Sequence, residues 1–492
     1  MRHGPAKPHA SSHGVRRHRH NRCETMPQKV VIVGAGLAGS ILAAELAQTF
    51  DVTVVELAQQ NGNLAVPLTD LSQPAGLSPH VGSGPGGTSA LWNNGLIELE
   101  DDDYASWPIS RQELLPYVAR AYPLLSGVSR EAVTSCYDEL RQIHVDRGIP
   151  QEMIGNGLFY PQRRRNLWQS LRLAERPIRF ITGRARRLLI DNGRVTGLVF
   201  EDDVGRPHQI SADHVILSAG GLSTPLVVQA TEKAFSLSSL EAAGRHYIDH
   251  PMGMIAKVKL QSRFYDIWNF RQRRIAGALQ TPIVIRDQSG LKISVFLRPA
   301  SVVSHGDRRD RVQSVLVNLR NAPFKLSALA ALAGSRDDIR DLLSFKLGLQ
   351  LPTDYYVLRL VASEVPDTHR SVYRDEKTDG IVRDWRITEG YLEKLSSLLQ
   401  QLLDKLGGIV VESRFFDQWG KNLHSAAHHS GTCRMSQSEE DGVCDSTCQI
   451  FGISNAYICD GSTLPSTGYA NTGLTIAALA LRLSDHLKQQ AA

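Results

Sequence analysis

KVVIVGAGLAGS, residues 29–40, says more about the fold than any other stretch of this chain. Residues 30–33 form an apolar run of the kind that makes a strand buried on both faces. The run breaks at Gly34-Ala35-Gly36-Leu37-Ala38-Gly39, after which Leu37, Ile41, Leu42 and Leu46 recur at helical spacing. Strand, glycine turn and helix in that order are the setting in which G-x-G-x-x-G marks a dinucleotide site. Gly34, Gly36 and Gly39 allow the tight turn, the approach of backbone to a pyrophosphate, and the packing of helix on strand. The helix start at Leu37 and Ala38 offers free N–H groups and a positive dipole end to the phosphates. A second strand, residues 52–55, ends at Glu56, 22 residues after Gly34, where an acid accepts hydrogen bonds from an adenosine ribose. These residues do not separate NAD from FAD.

The rest of the composition narrows the class. A chain of 492 residues implies two or three domains, and 42% hydrophobic with 21% charged residues is the balance of a soluble globular protein. There is no apolar stretch of the roughly 18 residues that a membrane span needs. The net charge of +5 belongs to residues 1–25, which hold six basic residues and one acid; the body has 49 of each sign. Nothing in that balance points to nucleic acid. The tail carries five of the 17 histidines and few large apolar residues, so disorder is expected there. Arg16-Arg17 has no apolar segment behind it, which argues against a secretory signal, and Met26 offers a second start. Six scattered cysteines suggest a reducing compartment, with cytoplasmic placement as the expectation.

Further stretches approach the same ligand. GSGPGGTSALWNN (residues 82–94) has four glycines in its first six residues, and the backbone of Gly87, Thr88, Ser89, Trp92 and Asn93 is expected against a flat cofactor. HVILSAGG (214–221) is a strand breaking at Ala219-Gly220 before a helix, a second approach to the dinucleotide. Strands are also expected at 187–190 and 195–200, and Ser110 with Glu113 forms a capping box for a helix over 111–125. Nine arginines and one acid lie between Pro161 and Arg187, a solvated basic face or a site for an anion. After Pro251, residues 252–320 and 355–373 alternate as in an antiparallel sheet, with helices over 326–351 and 388–406, the latter capped by Gly407-Gly408.

Six strings in one order resemble the glucose–methanol–choline (GMC) oxidoreductases over most of residues 28–488. They are the fingerprint, GGTS (86–89), VILSAGGLSTP (215–225), GRHYIDHP (244–251), HHSGTCRM (428–435) and NAYICDGSTLPSTGYANTGLT (455–475). The resemblance implies FAD, and an α/β fold in which a Rossmann-like FAD-binding domain carries an inserted α+β substrate domain of antiparallel sheet and helices. It divides the chain into a basic tail (1–25), FAD-binding pieces at 26–118, 176–251 and 418–492, and substrate-domain pieces at 119–175 and 252–417. It implies that Asp460, with Gly461 beside it, hydrogen-bonds the ribityl chain, and that His428 is the base, with Asn471 its partner. Thr472, next to the flavin in this scheme, replaces the family's usual proline. Leu91 stands where some relatives have a histidine that links FAD, so the cofactor is expected to be non-covalent. GGTSALW and the helix starting at Trp107-Pro108-Ile109-Ser110 resemble the pyranose oxidase and fructose dehydrogenase branch.

The chemistry follows from these residues. Oxidising an alcohol needs the hydroxyl proton removed while a hydride leaves the same carbon, and a neutral imidazole suits the first task. His424 and His428 at helical spacing are a weaker, metal-binding alternative without a third ligand, so no metal is expected; Cys444 and Cys448 read as packing residues. Asp249-His250-Pro251 reads as a structural junction. The resemblance to the pyranose oxidase and fructose dehydrogenase branch implies oxidation of a CH–OH group, a secondary alcohol of a sugar or glycoside; no sugar-binding motif is read from the residues themselves. The alternatives are a sterol or other cyclic alcohol, or a flavoprotein subunit for electron transfer or assembly. The acceptor stays open among oxygen, a quinone and a redox protein.

Overall fold

The apolar run at 30–33 becomes the centre of a parallel sheet. In the computed structural model, which describes residues 1, 4, 27–58, 67–71, 81–92, 94–161, 166–261, 271–272, 275–299, 356–365 and 367–491, β1 (Lys29–Val33) lies between β2 (Asp51–Glu56) and β9 (His214–Leu217). β5 (Ile178–Thr182) adds beyond β2, and β20 (Ala456–Ile458) beyond β9. A parallel sheet must be covered on both faces. Alternate side chains of β1, β2 and β9 go to opposite cores: Val30, Ile32, Val52, Val54 and Ile216 meet α1 (Leu37–Leu46) and α7 (Gly473–Ala491). Val31, Val33, Val55, Val215 and Leu217 meet α5 (Thr224–Phe235) and a three-stranded antiparallel sheet of β6 (Arg184–Asp191), β7 (Arg194–Glu201) and β8 (Pro207–Ser211). The sequence reading missed β5 and β8. Neither has a buried apolar run; both lie at sheet edges with largely exposed or half-exposed side chains.

The second sheet is antiparallel. β10 (Pro251–Leu260) lies between β15 (Tyr356–Ala362) and β18 (Val410–Phe415); β14 (Lys292–Pro299) follows β15, β13 (Ile283–Arg286) is outermost, and the short β19 (His424–Ser425) pairs with the start of β10. One face packs Ile293, Val295, Leu358 and Leu360 against Leu395, Leu398, Leu399 and Leu402 of α6 (Glu389–Lys405). The other turns Phe296, Val361 and Met252 towards the core shared with the first sheet's helices. This sheet is thus a wall between α6 and the dinucleotide half.

Two small sheets stitch the halves together. β3 (Leu68–Asp70) pairs with β17 (Gly380–Asp384), the partner of β16 (Ser371–Asp375); β4 (Leu158–Pro161) pairs with β12 (Gly277–Gln280), next to β11 (Arg271–Gln272). α2 (Arg111–Ser126) starts with the expected capping box, Glu113 N–H donating to Ser110 Oγ at 3.2 Å. It runs on to Gly127, so the domain boundary expected at 118/119 falls inside a continuous helix; α3 (Arg130–Asp146) and the short α4 (Leu167–Ser170) follow. α6 does not end on its glycines. Its cap is Leu406 at φ −95°, because Leu406 and Ile409 both turn into the core. The helix expected at 326–351 and the residues Arg163, Arg164 and Arg165 lie outside the described residues. Further along the basic run, Arg184 and Arg186 pair with Asp379, and Arg187 lies over the Phe235 ring, so this part is spent on structure. No described helix is long and apolar enough to cross a membrane.

Candidate active site

The glycine turn presents a cradle. Gly34 sits at φ +103°, and a Cβ there would come within 2.4 Å of the Ser218 carbonyl oxygen, so β1 and the end of β9 meet only through glycine. A Cβ at Gly39 would lie 1.9 Å from the Gly34 oxygen, which is the helix-on-strand contact anticipated from the sequence. Gly36, by contrast, looks into open space: nothing lies within 4 Å of its Cβ position, no side chain caps the start of α1, and its first turn holds no acid. Leu37 and Ala38 open the helix there. Open space over uncapped N–H groups fits a pyrophosphate.

Glu56 reaches back into this turn. Its carboxylate accepts from Ala35 N–H at 2.5 Å, Leu57 N–H at 2.8 Å and Gly84 N–H at 3.3 Å, and burial pushes its pKa up to about 7 against those bonds. The Gly87–Ala90 turn crosses above; a Cβ on Gly87 would lie 2.9 Å from the Gly36 Cα. Thr88 Oγ1 accepts from Gly82 N–H, Ser89 Oγ donates to the Gly86 carbonyl, and the Trp92 ring covers Gly473 at the start of α7. Asn93 lies outside the described residues.

On the other side, Ala219 N–H donates to Thr224 Oγ1, and Gly220, at φ +85°, again faces open space. Asp460 is buried between these loops. Its carboxylate accepts from Gly220 N–H (2.8 Å), Thr224 Oγ1 (2.6 Å) and Ser462 N–H (2.8 Å), so these three bonds hold together the β9 and β20 loops. Gly461 packs against the His429 carbonyl, and the Thr472 carbonyl accepts from Ile476 N–H in the first turn of α7.

Between these loops and the antiparallel wall lies His428. Its Nε2 is 3.2 Å from Asn471 Nδ2, so the two residues expected to act together do meet, across 43 positions of sequence. Its Nδ1 is 2.8 Å from Nδ1 of His250, and His250 Nε2 is 2.9 Å from Thr467 Oγ1. Below them Asp249, fully buried, accepts the backbone N–H groups of His250 (2.7 Å) and His428 (3.1 Å), the hydroxyl of Ser425, and that of Tyr247 at 3.2 Å. His429 turns away from the wall: its Nδ1 meets Tyr247 Oη at 2.7 Å and Asp249 at 3.4 Å, and its ring stacks on Tyr247. Behind Asp249, the buried Glu364 takes hydrogen bonds from the Asp249 N–H and Trp385 Nε1 and pairs with Arg370.

Sequence reading paired His428 with Asn471, which meet here, and read Asp249 and His250 as a junction, where the structure places them beside His428. The signal was present, since both stand in one of the six strings, but nothing local reveals that β10 delivers them under His428. The metal alternative loses its premise: His424 lies in β19, and no helix joins it to His428. The cysteines behave as packing residues; burial pushes Cys448 up to about 12 and Cys444 well above its ordinary range.

Electrostatics keep His428 neutral. Burial above all lowers the His428 pKa to about 3, with the proximity of His250 and the Arg359 guanidinium acting in the same direction and Asp249 against them. Burial likewise lowers His250 to about 4. Despite the cost of burial, bonds from His429 and Ser425 hold Asp249 well below the usual carboxylate range. Burial pushes Glu364 up to about 7, opposed by Arg370. An anion beneath two neutral imidazoles suits removal of a proton from a bound alcohol.

Residues 390–480 match the family model described as GMC oxidoreductase, a segment that contains both His428 and Asn471. That segment of the chain is similar to the GMC oxidoreductases. The chain is 23% identical over 325 residues to the 2-methyl-1,2-propanediol dehydrogenase of Mycolicibacterium austroafricanum, covering 62% of its own length and 53% of that protein. It thus spans about half the length of that relative. Among solved structures it resembles pyridoxine 4-oxidase from Mesorbium loti (TM-score 0.60, 16% identity, 94% of this chain and 99% of that one). It also resembles an Aspergillus oryzae formate oxidase variant studied for FAD modification (TM-score 0.58, 16% identity, 95% and 99%). At these identities the structural likeness speaks for the fold: a Rossmann-like half with an inserted antiparallel half.

Proposed function

We propose that this chain is an FAD-dependent oxidoreductase that oxidises a CH–OH group, with a secondary alcohol of a sugar or glycoside as its substrate. The observation that carries the proposal is the meeting of a neutral His428 with Asn471 at 3.2 Å, at the edge of a cradle built for a dinucleotide. The relative that acts on a diol supports an alcohol substrate; the sugar rests on the likeness of GGTSALW to the pyranose oxidase branch.

FAD, when bound, supplies the hydride acceptor. Gly34, Gly36, Leu37, Ala38 and Gly39 would hold its pyrophosphate and Glu56 its adenosine ribose. Gly87, Thr88, Ser89, Trp92, Ala219, Gly220, Gly461 and Thr472 would line the remainder, with Asp460 fixing Gly220 and the turn at Ser462 beside the ribityl chain. His428 takes the hydroxyl proton at Nε2. Asn471 shares that position and orients the alcohol through its amide.

The test is anaerobic mixing of the flavin-loaded protein with D-glucose, methyl glucoside, a sterol and 1,2-propanediol in turn. Bleaching of the flavin by a sugar or glycoside supports the reading. Bleaching by the sterol or the diol alone would correct the substrate class, and no bleaching by any alcohol would sink the enzymatic reading.

A further inference from the structure

His250 and His428 confront each other through like atoms. Their Nδ1 nitrogens are 2.8 Å apart, with ring planes at 82°. Two neutral imidazole nitrogens at that distance need one proton between them, and the outer partners decide which ring carries it. Asn471 offers an amide N–H to His428 Nε2, which therefore is bare, and His428 holds its proton on Nδ1. That N–H donates to a bare His250 Nδ1, and His250 keeps its own proton on Nε2, towards Thr467 Oγ1.

We propose that the two imidazoles act as one base: as the substrate's hydroxyl proton bonds to His428 Nε2, the Nδ1 proton of His428 crosses to His250 Nδ1. An O–H bond breaks and an N–H bond forms at Nε2, while one N–H breaks on His428 and one forms on His250. His428 ends neutral in its other tautomer and His250 ends as an imidazolium. The electron pair of the C–H bond leaves with the hydride, as in the function proposed above, on which this inference rests. His250 touches His428 and not the substrate, so it is a positioning residue that also accepts charge.

The surroundings favour that destination. Positive charge on His428 is opposed by His429 and Arg359 and favoured by Asp249. Positive charge on His250 is favoured by Asp249, whose carboxylate already accepts its backbone N–H, and by the polar backbone at Thr467 and Gly468. Moving the proton across therefore takes charge away from the Arg359 guanidinium and leaves it beside the Asp249 carboxylate. A lone, desolvated His428 would be a weak base. The second ring corrects this without exposing either to water.

The test follows flavin reduction by stopped flow in mixtures of H2O and D2O, with whichever of D-glucose, methyl glucoside or 1,2-propanediol bleaches the wild type fastest. Two protons change bonds, so the wild-type rate should fall along a curve as the deuterium fraction rises. His250→Asn keeps a carbonyl that can accept the His428 Nδ1–H but cannot carry the proton. It should retain flavin, reduce it about tenfold to a hundredfold more slowly, and give a straight line. A straight line for the wild type, or a wild-type rate for His250→Asn, overturns the relay. The proton spectrum of the holoenzyme gives a readout independent of substrate: a far-downfield N–H resonance should vanish in both His250→Asn and His428→Ala. Its absence from the wild type also overturns the relay. Failure of every alcohol to bleach the wild type would instead count against the proposed function, and the resonance would still decide the pairing.

Discussion

At the scale of single residues, the two histidines of the HHS string face different ways. His428 faces Asn471 and His250, whereas His429 is turned onto Tyr247 and Asp249. His428→Ala should keep flavin but slow its reduction roughly 10²–10⁴-fold. Asn471→Ala should lose less, since it removes orientation rather than the acceptor, and His429→Ala less still. Anaerobic bleaching rates rank the three variants; a dead His429→Ala with an active His428→Ala would reverse the assignment. Leu91, exposed at the position of a linking histidine, leads to a second expectation. Acid precipitation should leave the yellow colour in the supernatant; a yellow pellet would mean a covalent bond. A third concerns acid. His250 has a folded pKa of about 4 against an ordinary 6.5, so between these values the unfolded chain binds the proton and the folded chain does not. Its contribution to stability is therefore full above about pH 6.5 and lost as pH falls towards 4. His250→Asn should lose less stability than wild type over that window in denaturant titrations at stepped pH.

At the scale of elements, the β1–α1 turn separates folding from binding. Gly36 has room for a methyl group and Gly39 has none. Gly36→Ala should thus leave the melting temperature of the flavin-free protein unchanged while cutting its flavin content, because the methyl occupies the space offered to the pyrophosphate. Gly39→Ala should lower both. Equal damage from the two would mean that Gly36 serves the fold rather than the ligand. The same turn explains what could be read from sequence. β1, α1 and β2 announce themselves because buried parallel strands are continuous apolar runs and the glycines between them have fixed tasks. β8 and β5 are quiet because edge strands in water need no such run. His250 and Asp249 were visible as letters but not as partners, since their placement under His428 comes from the pairing of β10 with β19, a contact between residues over 170 positions apart.

At the scale of the molecule, the halves are joined by charge as well as by strands. Lys292 of β14 is buried with its ammonium on Glu100, Asp102 and Asp103, Asp103 itself being buried. Those three acids are the one group among the described residues with the spacing of a metal site, and the lysine already occupies it. Lys292→Met should cost about 3–5 kcal/mol, because it strands carboxylates in the interior. Lys292→Met combined with Asp103→Asn should recover part of that loss. Denaturant unfolding of the three proteins checks the ordering, and an unchanged midpoint in the single variant would show the cluster to be dispensable.

The parallel sheet draws its strands from the beginning, the middle and the very end of the chain: β1 and β2, then β5 and β9, and finally β20. During synthesis the growing polypeptide must therefore carry β9 with one side unpaired until residues 456–458 have left the ribosome, more than two hundred residues later. Such a waiting edge is a template for pairing with another nascent chain, and pairing over so long a separation is slow. His428 and Asn471 flank β20 in sequence, so these two residues can meet only as the parallel sheet is completed, in one late step.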